Sequence, residues 1–366
     1  MKTFVPSPAK APPAYAVGPL AWLKNNLFSS IPNSIATVLI VAILANLLPG
    51  LLDWLFFSAN WSGETQAACT DDGACWVFIS AWSQQLLYGS YPTEQIWRIN
   101  LVLLILLAVV IGSYVVSKNI RDKFFIPLFL LLPFIGIAIL HGSWLGLEVV
   151  TTDYWGGFSL NILLAAASII IAFPLGFIWA LGRRSQMPMA RSISIVMIEF
   201  FRGVPVLALF FMGSVMLPLF FPEGTNVDKL VRVWIVLTLF MAGYMAEVFR
   251  GGFNAIPPGQ YEAADALGLS YWQKTLLIIL PQVIKISMPN ILATFVMLFK
   301  NTSFLMIIGI FEILSTTQAA LSNSYWLGGH AEEGYLFVAL LFWTVCFGMS
   351  VVASSIERKL NTEHKK

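Results

Sequence analysis

Apolar residues in this chain fall in long blocks, each near the length of a membrane crossing. The stretches between them are short and collect charge, proline and glycine. A helix needs roughly 20 mostly apolar residues to cross the hydrocarbon core. Blocks of that kind lie near 31–57, 96–117, 124–147, 159–182, 192–220, 231–250, 286–311 and 334–356. The pattern predicts an all-α polytopic membrane protein with eight transmembrane helices. Pro49–Gly50 should break the first block, and Pro127 and Pro133 blur the limits of the third. Residues 1–25 are proline-rich, carry Lys2, Lys10 and Lys24, and pass straight into an apolar run. That run exceeds the ~7–15 residues of a secretory h-region, so it reads as a retained first span.

Composition agrees. Only 11% of the 366 residues are charged while 58% are hydrophobic and 14% aromatic, against about 25% charged in a soluble domain. The mean hydropathy of +0.79 leaves most of the surface to lipid. Lys and Arg in the short loops set orientation, since cytoplasmic loops hold the excess. With the N-terminus inside, three basic groups fall inside beside the N-terminal lysines: Lys118, Arg121 and Lys123; Arg183, Arg184 and Arg191; and Arg250, Lys274 and Lys285. So does the tail with Arg358, Lys359, Lys365 and Lys366, while only Arg98, Lys229 and Arg232 fall outside. Both termini are then cytoplasmic. The outside loop 58–95 holds Cys69 and Cys75, which form either a small disulfide loop in an oxidising periplasm or two free thiols. Cys346 reads as a packing residue of the last span. Three cysteines and three histidines make no zinc-ligand spacing, no metal or cofactor is expected on this chain, and nothing points to nucleic acid.

The chain divides into a cytoplasmic segment 1–25, a three-span part 26–157, a five-span part 158–358 and a tail 359–366. No internal repeat is evident, which disfavours an inverted-repeat secondary transporter. The inside connection 251–285 has unusual composition. Pro257 and Pro258 suit the start of a short helix, Glu262 and Asp265 its N-terminal half, and Gly268 its stop. Ala263, Ala264 and Leu267 are expected on one face, where small residues allow close approach of another surface. Ser270-x-x-Gln273 is a capping box for a second helix running toward Leu280-Pro281.

The stretch EAADALGLSYWQKTLLIILP (262–281) resembles the EAA loop of ABC-importer permeases, with Glu262, Ala263, Ala264, Gly268, Ile278, Leu280 and Pro281 in place. In that family the loop forms a coupling helix that docks on the ATPase, and the resemblance assigns this role to Glu262, Ala263, Ala264, Asp265 and Gly268. The flanks EFFRGVPVLALF (199–210), AGYMAEVFRGGFNAIPPGQ (242–260) and KNTSF (300–304) are similar to permeases for polar and general amino acids. The likeness covers roughly 158–358. It implies a five-helix permease core and an ATP-binding cassette ATPase dimer holding ATP and Mg. It also implies a periplasmic substrate-binding protein, a second permease forming a heterodimer, and amino acids, neutral or broad in range, as substrate. The three extra spans resemble the longer subunit of general or neutral amino-acid importers in a bacterial inner membrane. No G-x-x-x-x-G-K-[ST] phosphate loop is present, so hydrolysis falls to the partner.

Ionisable groups at membrane depth cost several kcal/mol and face a cavity or a partner. The core holds Glu199, Arg202, Glu247, Lys300 and Glu312. Glu199 and Arg202 share a helix face and either pair with each other or leave Arg202, freed by Gly203 and Pro205, to take a substrate carboxylate. By the family resemblance Glu312 meets the substrate's ammonium. Lys300, Asn301, Thr302 and Ser303 form a polar band that lines the pathway or bonds a neighbouring helix. Glu247 and Arg250 are expected as a local pair. Other readings are a permease for another small polar solute, an ion-coupled secondary transporter, and a structural membrane subunit.

Overall fold

The computed structural model describes residues 18–70, 72–116, 123–124, 126–222, 224–225, 227–326 and 330–362. Lys2, Lys10, Lys118, Arg121, Lys365 and Lys366, used above for orientation, lie outside them. The chain forms two compact units, 1–77 and 78–366.

In the first unit, α1 (Pro19–Asn26) precedes α2 (Ile31–Phe57), a span of 27 residues. Ser30 caps α2 by accepting from Asn33 N at 3.4 Å. Pro49 does not break the helix; the chain carries on through it into a π-helical turn at Asp53–Phe57. Beyond the span, Cys69 and Cys75 are joined as a disulfide with Cα atoms 5.5 Å apart. Asn60 pairs beside it, its N–H donating to Ala74 O at 2.8 Å. Phe56, Trp61 and Trp76 stack in series, with centroids 6.4 and 5.7 Å apart, as aromatic side chains do at a membrane boundary.

Helix α3 (Trp76–Tyr88) begins in the last residues of the first unit, and the second unit holds α4 (Ile96–Val115), α5 (Ile126–His141), α6 (Gly157–Arg183) and α7 (Pro188–Gly203). These are followed by α8 (Val206–Phe220), α9 (Lys229–Asn254), α10 (Pro258–Ala266), α11 (Tyr271–Ile308), α12 (Ile313–Leu321) and α13 (Ala331–Thr362). Among the described residues, six helices are long and apolar enough to cross a membrane, and α7 with α8 makes a seventh if the bent pair is one span. The third expected span is shorter: α5 has 16 residues, about 24 Å of helix, and stops at Gly142, which is left-handed at φ 84°. Helices α4 and α5 belong to the core unit because Val109 and Leu132 bury against Ile170 of α6.

The centre is the pair α6 and α9. Leu237, Met241, Ala242, Met245 and Phe249 are fully buried, and Phe173 and Phe177 meet Phe249 edge-on at 5.2 and 5.6 Å. Gly176 makes the approach possible: a Cβ there would lie 2.5 Å from Met245 Cβ and 2.9 Å from Ala242 O. Small residues at such crossings let helices gain van der Waals contact where lipid offers no hydrophobic drive. Helices α7 and α8 bend by 107°. Pro205 holds itself and Val204 extended, at ψ 135° and 132°, since a proline excludes the residue before it from helical geometry.

Candidate functional site

The connecting segment builds α10 as a short, sharply bounded unit. Pro257 and Pro258 start it, where a missing N–H costs nothing. Its end is a Schellman motif: Leu269 N donates to Ala264 O at 3.2 Å and Gly268 N to Asp265 O at 2.9 Å. Gly268 sits at φ 70°, left-handed, with open space where a side chain would be. The Ser270–Gln273 capping box then starts α11, both of its bonds present. The second helix of the expected loop is therefore the first turns of the spanning helix, and a π-turn at Lys274–Ile279 accommodates Pro281. Ala264 turns inward and is buried, whereas Glu262, Ala263, Asp265 and Leu267 face out. The expected common face of Ala263, Ala264 and Leu267 is thus divided by the helical pitch. Asp265 pairs with Lys274, tying α10 to α11.

The charged residues of the core gather differently from their sequence spacing. Glu199 takes Arg183 of α6 at 2.8 Å and stands 4.0 Å from Arg202. Arg202 lies nearer Glu247 of α9, at 3.6 Å, and its guanidinium is 5.8 Å from the Tyr244 ring centre. Glu247 also bonds Arg250, as expected, and lies 3.8 Å from Arg183. Glu199 and Arg202 stand within ion-pair range, as their spacing suggests, but each has a nearer partner on another helix. Both belong to a five-member cluster of three arginines and two glutamates that joins α6, α7 and α9 beside the α7–α8 bend. Sequence position alone gives Arg183 as a loop charge; packing brings it into the cluster.

Glu312 is wholly buried. One oxygen caps α12 by accepting from Ser315 N at 2.9 Å; the other accepts from Asn161 Nδ2 at 3.1 Å. The same amide nitrogen donates to Thr302 Oγ1 at 3.0 Å, and Asn161 Oδ1 accepts from Ile313 N at 3.2 Å. Thr302 is buried too; half-buried Ser303 donates to Lys300 O at 2.8 Å. In this conformation, then, Glu312 and Thr302 are committed to holding α6, the end of α11 and α12 together, and Glu312 offers no open oxygen to an ammonium. Asn161 is the residue sequence reasoning missed. A lone amide within an apolar helix was its available signal.

A spanning helical core, a break at a charged cluster and a capped helix projecting from the connection define a transport-system membrane subunit. Residues 172–362 match the model of the binding-protein-dependent transport system inner membrane component family, and the chain belongs to that family. It is a multi-pass inner-membrane permease, a transporter subunit rather than an enzyme, and in such systems ATP hydrolysis resides in a partner. Among relatives, the chain is 45% identical to the inner membrane amino-acid ABC transporter permease protein YhdY of Escherichia coli, over 94% of this chain and 93% of that one. It is 36% identical to the glutamate/glutamine/aspartate/asparagine transport system permease protein BztC of Rhodobacter capsulatus, over 99% and 98%. Among solved structures, a chain from an amino acid ABC transporter crystallised with histidines aligns at TM-score 0.49 and 25% identity, over 55% of this chain and 90% of that one.

Proposed function

We propose that this permease carries amino acids, neutral or broad in range, into the cytoplasm by alternating access, driven by ATP and Mg held on a partner ATPase dimer. The observation that carries the substrate class is end-to-end likeness to two permeases whose names specify amino-acid transport. The coupling role rests on α10, whose outward residues Glu262, Ala263 and Asp265 are presented by a Schellman stop at one end and proline at the other. A second, different permease completes the pathway, and a periplasmic binding protein delivers substrate on the side away from α10. Both termini are cytoplasmic in this reading. Arg202, a third exposed in a cluster with one surplus positive charge, leaves Glu247 to take the substrate carboxylate when α7 and α8 move. Glu312 and Thr302 position the polar turn that follows α11.

The test is uptake of labelled amino acids into proteoliposomes holding this chain, a second permease, the ATPase and the binding protein. Uptake is expected only with ATP on the ATPase side. Gly268→Val forces a branched side chain into left-handed backbone, a cost of roughly 1–2 kcal/mol, and should abolish uptake while ATP hydrolysis persists. Uptake that follows a sodium or proton gradient without ATP refutes the reading.

A further inference from the structure

A cavity of about 630 Å³ opens where the last turns of α6 meet the first turns of α11, beside α10. Its floor is apolar, with Phe177, Leu181 and Ile279, while Arg184, Lys274 and Tyr261 ring its polar end. The two consecutive arginines at the end of α6 diverge. Arg183 enters the glutamate cluster, but Arg184 turns to neutral partners, donating to Asn254 Oδ1 at 3.3 Å and Tyr261 Oη at 3.5 Å. Its guanidinium also lies 5.0 Å from the Phe253 ring centre and 5.8 Å from that of Tyr261. No carboxylate of the described residues pairs with it. Lys274 is matched by Asp265, so the cavity keeps one fixed, unneutralised positive charge.

Arg184 directly follows the last residue of span α6, and exposed Tyr271 and Trp272 on the cavity rim are the residue types of a membrane interface. Exposed Ile178, Met187 and Leu277 continue the apolar surface outward.

From this the geometry points to a site for one anionic phospholipid of the inner leaflet, its phosphate on Arg184 and an acyl chain along Ile178 and Leu181. Basic pockets between spans on the cytoplasmic side hold anionic headgroups in this way. The assignment rests on the orientation proposed above.

The test uses the complete transporter, exchanged into phosphatidylcholine bilayers with and without phosphatidylglycerol, purified, and examined for lipid retained on this chain by native mass spectrometry. Wild type should keep phosphatidylglycerol in preference to phosphatidylcholine. Arg184→Gln should lose the preference, and Ser185→Trp, which fills the cavity and keeps the charge, should lose it too. Arg191→Gln, an exposed cation outside the cavity, should keep it. Equal retention by wild type and Arg184→Gln overturns the site. Displacement by inorganic phosphate alone would assign it to a free anion, and retention only in the absence of the ATPase would assign it to that partner; either overturns the lipid reading. Lipid is counted without transport, so failure of the import reading appears separately, as absence of ATP-driven uptake in wild type.

Discussion

Replacing Asn161 by alanine isolates the polar tie between α6, α11 and α12. The amide is fully buried and makes three hydrogen bonds, to Thr302 Oγ1, Glu312 Oε2 and from Ile313 N. A protein hydrogen bond contributes about 0.5–1.5 kcal/mol net, and stranding a buried partner costs about 1–3 kcal/mol. Interhelical bonds within membranes couple more weakly, about 0.6 and at most about 1.7 kcal/mol. Loss of all three, with Ile313 N–H and one Glu312 oxygen left unpaired, should therefore cost about 3 kcal/mol. A double-mutant cycle with Glu312→Ala should return a coupling of about 0.6–1.7 kcal/mol. The measurement is unfolding of the purified chain in mixed micelles as denaturing detergent is titrated. Ser168→Ala is the matched control: the same helix, equally buried, but with a hydroxyl that has no bonded partner, so its removal should be neutral or slightly stabilising. If Asn161→Ala destabilises no more than Ser168→Ala, the network does not hold these helices.

Gly176→Val would drive side-chain atoms into Met245 and the Ala242 carbonyl, an overpacking cost of about 1–3 kcal/mol or more; folded yield in detergent should collapse, and wild-type yield would show that α6 and α9 can separate freely. Glu199→Gln removes a half-exposed contact and should change stability by no more than about 1 kcal/mol. Glu247→Gln removes the group shared by Arg183, Arg202 and Arg250 and should cost clearly more in thermal unfolding; equal effects refute the hub. Cys75→Ser opens a loop whose closure is worth about 2 kcal/mol in the chain-entropy model and leaves the half-buried Cys69 as the reactive thiol. A membrane-impermeant maleimide should then label intact cells, whereas labelling only after permeabilisation would reverse the orientation.

The spans were legible because lipid imposes one rule over some 20 residues, and every expected block contains a helix. The α7–α8 bend was legible in Gly203 and Pro205, and the coupling segment in Pro257, Pro258, Gly268 and the Ser270–Gln273 box, all of which act within a turn or two of themselves. Pro49 misled, since the α-helix runs through it to Leu52. The inner charged residues were legible, but their partners on other helices were not. Spacing along α7 suggested Glu199 with Arg202, while the packed helices offer Arg183 and Glu247 at shorter range.

Local sequence is thus enough to show that the chain spans a membrane, roughly where its apolar helices lie, and that a capped helix stands on one connection. These follow from hydropathy, proline geometry and glycine's freedom at positive φ, and each is a property of neighbouring residues. Helix packing, by contrast, makes Glu312 a buried cap bonded to Asn161, 151 residues away, and turns Arg183 and Arg184 to different surroundings. A polar side chain at such a site takes whatever partner helix packing brings within about 3 Å, and that packing is set by contacts such as Gly176 on Met245, which no local pattern encodes.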